Sequence, residues 1–265
     1  MATLAFGLQY NGTAYRGWQC QVDVPSIQAE VERAITQLAN EKIRVICAGR
    51  TDAGVHAMQQ VIHCHTNAVR EPYTWLRGTN AYLPADISVQ WVNEVTSDFH
   101  ARYSATARRY QYVIYNNPVR SSVLHNRVTG WYKPLDSDLM HQAGQYLVGE
   151  HDFTSFRGPH CQARTPVRCI HQLHVRRYKT WIIVDISANA FLQHMVRNIV
   201  GVLLEIGEKE KPLDWAADVL AAKDRRCGGQ TAPAQGLYFM DVSYPAHFNL
   251  PRLPVDDTLL PFIAL

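Results

Sequence analysis

The sequence predicts an α+β fold of two β-α-β-β-α-β-like halves with antiparallel sheets. Two features carry that expectation: strand-like and helix-like periodicities alternate along the chain, and the order of elements in the first hundred residues returns loosely afterwards. At 265 residues there is room for two modest domains, each with its own core. We place an N-terminal domain at 1–104 and a C-terminal domain at 105–265.

Thr3 to Tyr10 alternates apolar and polar residues, as a half-buried strand does, and leads into the Gly-bearing loop NGTAYRGWQCQVDVP. Ser26 then suits the cap of a helix whose Ile27, Val31, Ala34, Ile35 and Leu38 fall on one stripe. Ile43 to Ala48 reads as a strand, GRTDAGVHA as a loop, and Gln59 to His65 as another strand. Pro72, at home in a first helical turn, opens a helix to about Tyr82. The alternation of Ile87, Val89, Trp91 and Val95 marks a further strand. In the second half, strands are expected over Arg109 to Tyr115 and Leu237 to Tyr244, a hairpin over Val167 to Arg177 and Trp181 to Ser187, and helices over Asp136 to Val148 and Asp214 to Ala222. Between them, Phe191, Met195, Ile199, Val202 and Leu203 are spaced for one buried helical face.

With 47% hydrophobic and 18% charged residues the chain has an ordinary globular composition, and no window is apolar enough to span a bilayer. The N-terminus has no secretory pattern, so a reducing cytoplasm is expected, with the six cysteines as free thiols. The net charge of +3 is unevenly spread: residues 100–180 carry 12 Lys+Arg against 4 Asp+Glu, the remainder 14 against 19. Twenty of the 26 cations are Arg, whose planar fork suits phosphate and stacks on flat rings. A polyanionic partner fits this basic block, as does an ordinary solvated face.

The most unusual stretch is Gly49-Arg50-Thr51-Asp52-Ala53-Gly54-Val55-His56-Ala57. Glycines let a tight loop aim one side chain outward, and an acid there is either a nucleophile or base, or an aspartate that merely caps a turn. His63-Cys64-His65, and the set His160, Cys161, Cys169 and His171, lack the close spacing of zinc sites, so no metal is expected. Gly-rich phosphate loops, dinucleotide fingerprints and nucleophile elbows do not occur.

The loop GRTDAGVHA resembles the signature of TruA-type tRNA pseudouridine synthases. YNGTAYRGWQ, NAYLP, ARYSATARRYQY, GEHDFTSF, NAFLQHMVRNIVG and TAPAQGLYF resemble that family's other blocks, in order, from about residue 6 to 245. Asn11, Met58-Gln59 and Gln111 depart mildly from the pattern, and the tail after Pro245 matches nothing in it.

The resemblance implies the pseudouridine synthase fold, its halves joined across a central cleft, and a cytoplasmic, cofactor-free homodimer acting on tRNA. The reaction implied isomerises uridine to pseudouridine in the anticodon stem-loop, at positions 38 to 40 of the family's name. Asp52 falls on the catalytic aspartate, acting at ribose C1′ either by adduct formation or by removing a C2′ proton. Tyr110 matches the stacking tyrosine, which on pattern alone reads as a core strand aromatic. Arg50 matches the loop arginine that fills the vacated space. Arg197 matches the arginine that pairs with the aspartate, although by itself it reads as a helix-flank guanidinium reaching solvent. Leu237 matches the apolar residue near the uracil, and Arg108 and Arg109 are candidates for phosphate contact. A non-catalytic RNA-binding module and a metal-dependent RNA hydrolase are the rival classes.

Overall fold

The computed structural model describes residues 1–251 and divides the chain into two compact units. Unit 1 is Met1–Thr106 together with the segment that begins at Tyr238; unit 2 is Ala107–Leu237. The division after Thr106 lies close to the expected one, but a single cut at 104/105 makes no provision for the chain's return to unit 1. That return rests on a short parallel pairing, which leaves no local periodicity to read.

In unit 1, β1 (Ala2–Tyr10) lies between β3 (His56–Thr66) and β4 (Ile87–Val95) and is antiparallel to both. β10 (Leu237–Ser243) runs parallel to β3, Tyr238 and Phe239 opposite His56 and Ala57. Whereas the alternation in β1 suggested a half-buried strand, seven of its nine residues are buried. Gly7 makes room on one face, where a Cβ would stand 2.1 Å from the Trp91 indole nitrogen. Helix α1 (Ile27–Ala39) starts at Ser26, whose hydroxyl accepts from Ala29 N, and buries Ile27, Val31, Ala34 and Ile35. Helix α2 (Pro72–Tyr82) sets Trp75 edge-on against Phe6 of β1, 6.4 Å between centroids.

Only Ile46–Cys47 of the strand expected at 43–48 joins the sheet, as β2 beside β3. Ile43 N donates to Thr36 Oγ1 and Val45 N to Glu32 Oε1, so helix side chains take the amides a ladder would have used. Conversely, β3 begins at His56, inside the stretch expected to be loop, where β1 and β10 pair with it.

In unit 2 the ladder is antiparallel: β5 (Ala107–Asn116) beside β9 (Trp181–Ala188), then β8 (Val167–Tyr178), then β7 (Gly149–Asp152). β6 (Thr129–Trp131) runs parallel to β5. β6 and β7 are three and four residues long, too short to leave a periodic signal. Helix α3 (Ser137–Gln145) is capped by Asp136, and Gly144 lets it sit close on Leu173. Helix α4 (Met195–Gly207) is buried on nearly every side and begins after His194, which adopts φ 60°. Phe191 therefore precedes the helix instead of standing on its buried face. Helix α5 (Trp215–Ala222) follows. All six cysteines are free, and among the described residues no helix is long and apolar enough to cross a membrane.

His63 is a buried titratable group of unit 1. It is 2% exposed, its Nδ1 accepts from Ala101 N at 3.2 Å, and the rings of His100 and His65 lie 4.9 and 5.6 Å away. Burial, then the charges of His100 and His65, push its pKa down to about 4. The unfolded chain, near 6.5, binds the proton more readily, so this neutral histidine costs nothing above about pH 6.5, and stability falls as pH drops from there toward 4. Urea denaturation at pH 7.5 and 5 should show that loss, and His63→Gln should flatten the slope. A His63→Gln variant with the same pH slope as the parent would refute the assignment.

Candidate active site

Asp52 stands half-buried between buried Thr51 and exposed Ala53 on the loop between β2 and β3, with exposed Arg50 two residues before it. Its main chain is held from several directions. Trp18 N donates to Thr51 O at 3.0 Å, Gly54 N to Tyr15 O at 3.4 Å, and Gln60 Nε2 to Gly49 O at 2.6 Å. Val55 N closes a turn onto Asp52 O at 3.1 Å, with Gly54 at φ 78° supplying the left-handed step. Beneath the loop, the hydroxyls of Tyr10 and Thr51 meet at 2.8 Å. Burial raises the Tyr10 phenol well above its ordinary value, so it stays a neutral partner.

The clamp comes from the segment after β1. Gly17, at φ 94°, passes so close that a Cβ would lie 2.7 Å from Thr51 O. Gly12 N donates to His56 Nδ1 at 3.1 Å, and the His56 imidazole stacks on Tyr238, 4.7 Å between centroids. Trp18, 1% exposed, packs beside the Tyr10 ring. The loop is thus aimed by residues that a motif search centred on the aspartate passes over. Their signal is the glycine-rich run NGTAYRGW, legible as a loop but not as a clamp.

The other expected site residues belong to unit 2. Tyr110 on β5 is 7% exposed and takes the Phe191 ring edge-on at 5.0 Å. Arg197 is half-buried on the first turn of α4, its Nε donating to Ala232 O at 2.7 Å while Ala232 N returns a bond to Arg197 O. It does not simply run out to solvent: its charge also draws the pKa of the buried Tyr112 phenol down, against the larger upward push of burial. The segment facing it is braced in turn. Asn198 Oδ1 accepts from Thr231 and Arg225, and Gly201 admits Gln230 O where a Cβ would intrude. Leu237 is buried at the start of β10.

Arg108 and Arg109 have protein acceptors. Arg108 Nη1 donates to Asn189 O at 2.8 Å, and Arg109 grips both carboxylate oxygens of Asp185, which Gln111 also reaches. A phosphate contact by either would compete with these bonds. His63 and His65 do share a strand face, but among the described residues no three His, Cys, Asp or Glu side chains gather as they would for a metal ion.

A half-buried carboxylate on a clamped loop can attack or deprotonate a carbon brought to it without first reorganising. The model of a family described as tRNA pseudouridine synthase matches residues 8–104 and 143–245. A tRNA pseudouridine synthase A of Histophilus somni is 55% identical over 257 residues, covering 97% of this chain and 96% of the relative. The enzyme of the same name from Coxiella burnetii is 52% identical over 261 residues, covering 98% and 100%, and that of Cronobacter sakazakii 54% over 257, covering 97% and 95%.

The close approach at Gly17 is open to test. Gly17→Ala should cost about 1–3 kcal/mol of unfolding free energy, from left-handed strain and the contact with Thr51 O. A denaturation midpoint equal to the parent's would show that the clamp yields freely.

Proposed function

The chain belongs to the tRNA pseudouridine synthase family and isomerises uridine to pseudouridine in tRNA, and from that premise we propose that Asp52 is the carboxylate acting at ribose C1′ of a uridine flipped out of the anticodon stem-loop, at positions 38 to 40. The observation that carries this assignment is the clamp: an acid whose flanking main chain is fixed at Gly49, Thr51, Asp52 and Gly54.

The reaction breaks the N1–C1′ bond and makes a C5–C1′ bond. C5 loses its proton and N1 gains one, so no electrons or energy enter from outside. In one route the carboxylate attacks C1′ as the uracil leaves, and C5 of the turned ring later displaces it. In the other it takes the C2′ proton and returns it. Either way an anionic oxygen faces a carbon that becomes cationic, the logic that carboxylates serve in glycoside hydrolysis. A uridine must leave its stack first, at a cost of a few kcal/mol. In this reading Tyr110 offers a ring to stack on, Arg50 fills the vacated space and meets the displaced nucleotide's backbone, Leu237 packs near the uracil, and Arg197 supplies the positive charge that keeps the carboxylate ionised. The anchored Nε of Arg197 suits a guanidinium that must hold one orientation. We place the enzyme in the cytoplasm, a reading its free thiols support, and take it as a homodimer, as the family resemblance implies.

Unmodified tRNA incubated with the protein should acquire pseudouridine, read as carbodiimide-dependent stops in reverse transcription. Asp52→Asn should abolish the product while tRNA binding persists; undiminished turnover by that variant would sink the assignment. Arg197→Met should fold and lose about 10- to 100-fold in rate, and full activity would remove its role. Tyr110→Phe should keep most activity, since the ring remains; a collapse as deep as that of Asp52→Asn would transfer the role to the hydroxyl.

A further inference from the structure

Between β4 and β5 the chain makes a tight turn over His100–Ser104 whose construction exceeds what a connection needs. Ser104 N donates to His100 O, and His100 N to Ser104 Oγ. The His100 imidazole accepts at Nδ1 from both Arg102 N, at 3.2 Å, and Tyr103 N, at 3.1 Å. Ala101 is pinned on both sides, its N to His63 and its O to the Tyr244 hydroxyl. On this rigid base Tyr103 is left 75% exposed, its ring 4.3 Å from that of His100 and inclined by 30°. The Arg102 guanidinium lies 5.6 Å from the same ring centroid.

A tyrosine this exposed contributes little to the core, yet the imidazole behind it and the bonds beneath it fix its orientation. A flat ring backed by an imidazole, with a planar guanidinium over it, offers the π surfaces and the cation that an unstacked nucleobase and its phosphate require. A protein partner would instead call for a broad apolar patch around the ring. Within unit 1 the turn is also tied to the strand that leads into the catalytic loop: Ala101 N meets His63, whose register partner on β2 is Ile46, six residues before Asp52.

We propose that Tyr103, seated on His100, is a stacking platform for an unpaired base of the RNA substrate other than the reacting uridine, with Arg102 meeting the adjoining phosphate. The inference rests on the tRNA reading and extends it from the reacting nucleotide to the strand around it. Tyr103 is a positioning residue, since it touches no reacting atom.

The test uses the whole chain and unmodified tRNA. Tyr103→Ala should weaken tRNA binding about tenfold and raise KM by the same factor, with an unshifted thermal midpoint. Tyr103→Phe should restore the parent affinity, and Arg102→Gln should lower the slope of log affinity against log salt by about one. Parental affinity and KM in Tyr103→Ala would overturn the platform, as would a Tyr103→Phe variant no better than Tyr103→Ala. Failure of the parent protein to form pseudouridine would sink the functional reading instead, and the binding comparison would still decide the platform.

Discussion

The hydrogen bond from Trp18 N to Thr51 O, made possible by a glycine at position 17, is the constraint on which the site depends. It ties the chain after β1 to the chain before β3 at the residue preceding the aspartate. The same segment continues into α1, where Ile27 N donates to Gly17 O and Gln28 N to Trp18 O. Loop, clamp and helix start are therefore one hydrogen-bonded piece. Its buried members, Trp18, Tyr10 and Thr51, close it off from water beneath the loop. The main chain that carries the acid has lost its freedom when the chain folds, so less entropy remains to be lost when substrate arrives.

Unit 2 uses a different device for a similar end. Arg197 sits on a helix that is otherwise almost wholly buried, and its Nε and carbonyl are both tied to Ala232. Asn198, the next residue, turns inward and joins Thr231, Arg225 and Phe156 O into a network with its polar atoms satisfied. Asn198 braces Thr231, and the guanidinium of Arg197 is bonded to the next residue, Ala232. In unit 1 backbone bonds around a loop fix the acid's main chain; in unit 2 a backbone carbonyl anchors the guanidinium.

Much of this was legible in the residues. The periodicity of Ile27, Val31, Ala34 and Ile35 located α1, Pro72 opened α2, and the alternation of Ile87, Val89 and Trp91 found β4, because the core face imposes its period on α1 and β4 and the fixed φ of proline suits the first turn of α2. The glycine-flanked aspartate stood out without any structure. What stayed hidden depended on partners distant in sequence. Ile43 and Val45 look like strand residues, but their amides are taken by Thr36 and Glu32. Phe191 fits the helical stripe but precedes a helix that starts only after the left-handed His194. Arg109, a candidate phosphate ligand, also grips Asp185 on the neighbouring strand, a partner the sequence does not announce. Side-chain-to-backbone bonds and cross-strand ion pairs leave no period, so pattern reading cannot register them.

The parallel pairing of Tyr238 and Phe239 with His56 and Ala57 gives the chain a particular order of completion. Unit 2 is wholly interposed, in sequence, between most of unit 1 and its final strand. During synthesis the stretch that carries the aspartate leaves the ribosome early, but the edge of β3 beside it stays bare until some 180 further residues have followed. A nascent chain stalled anywhere in that interval holds an open strand edge next to its reactive loop, and loss of the last few dozen residues would strip the finished molecule of the same neighbour.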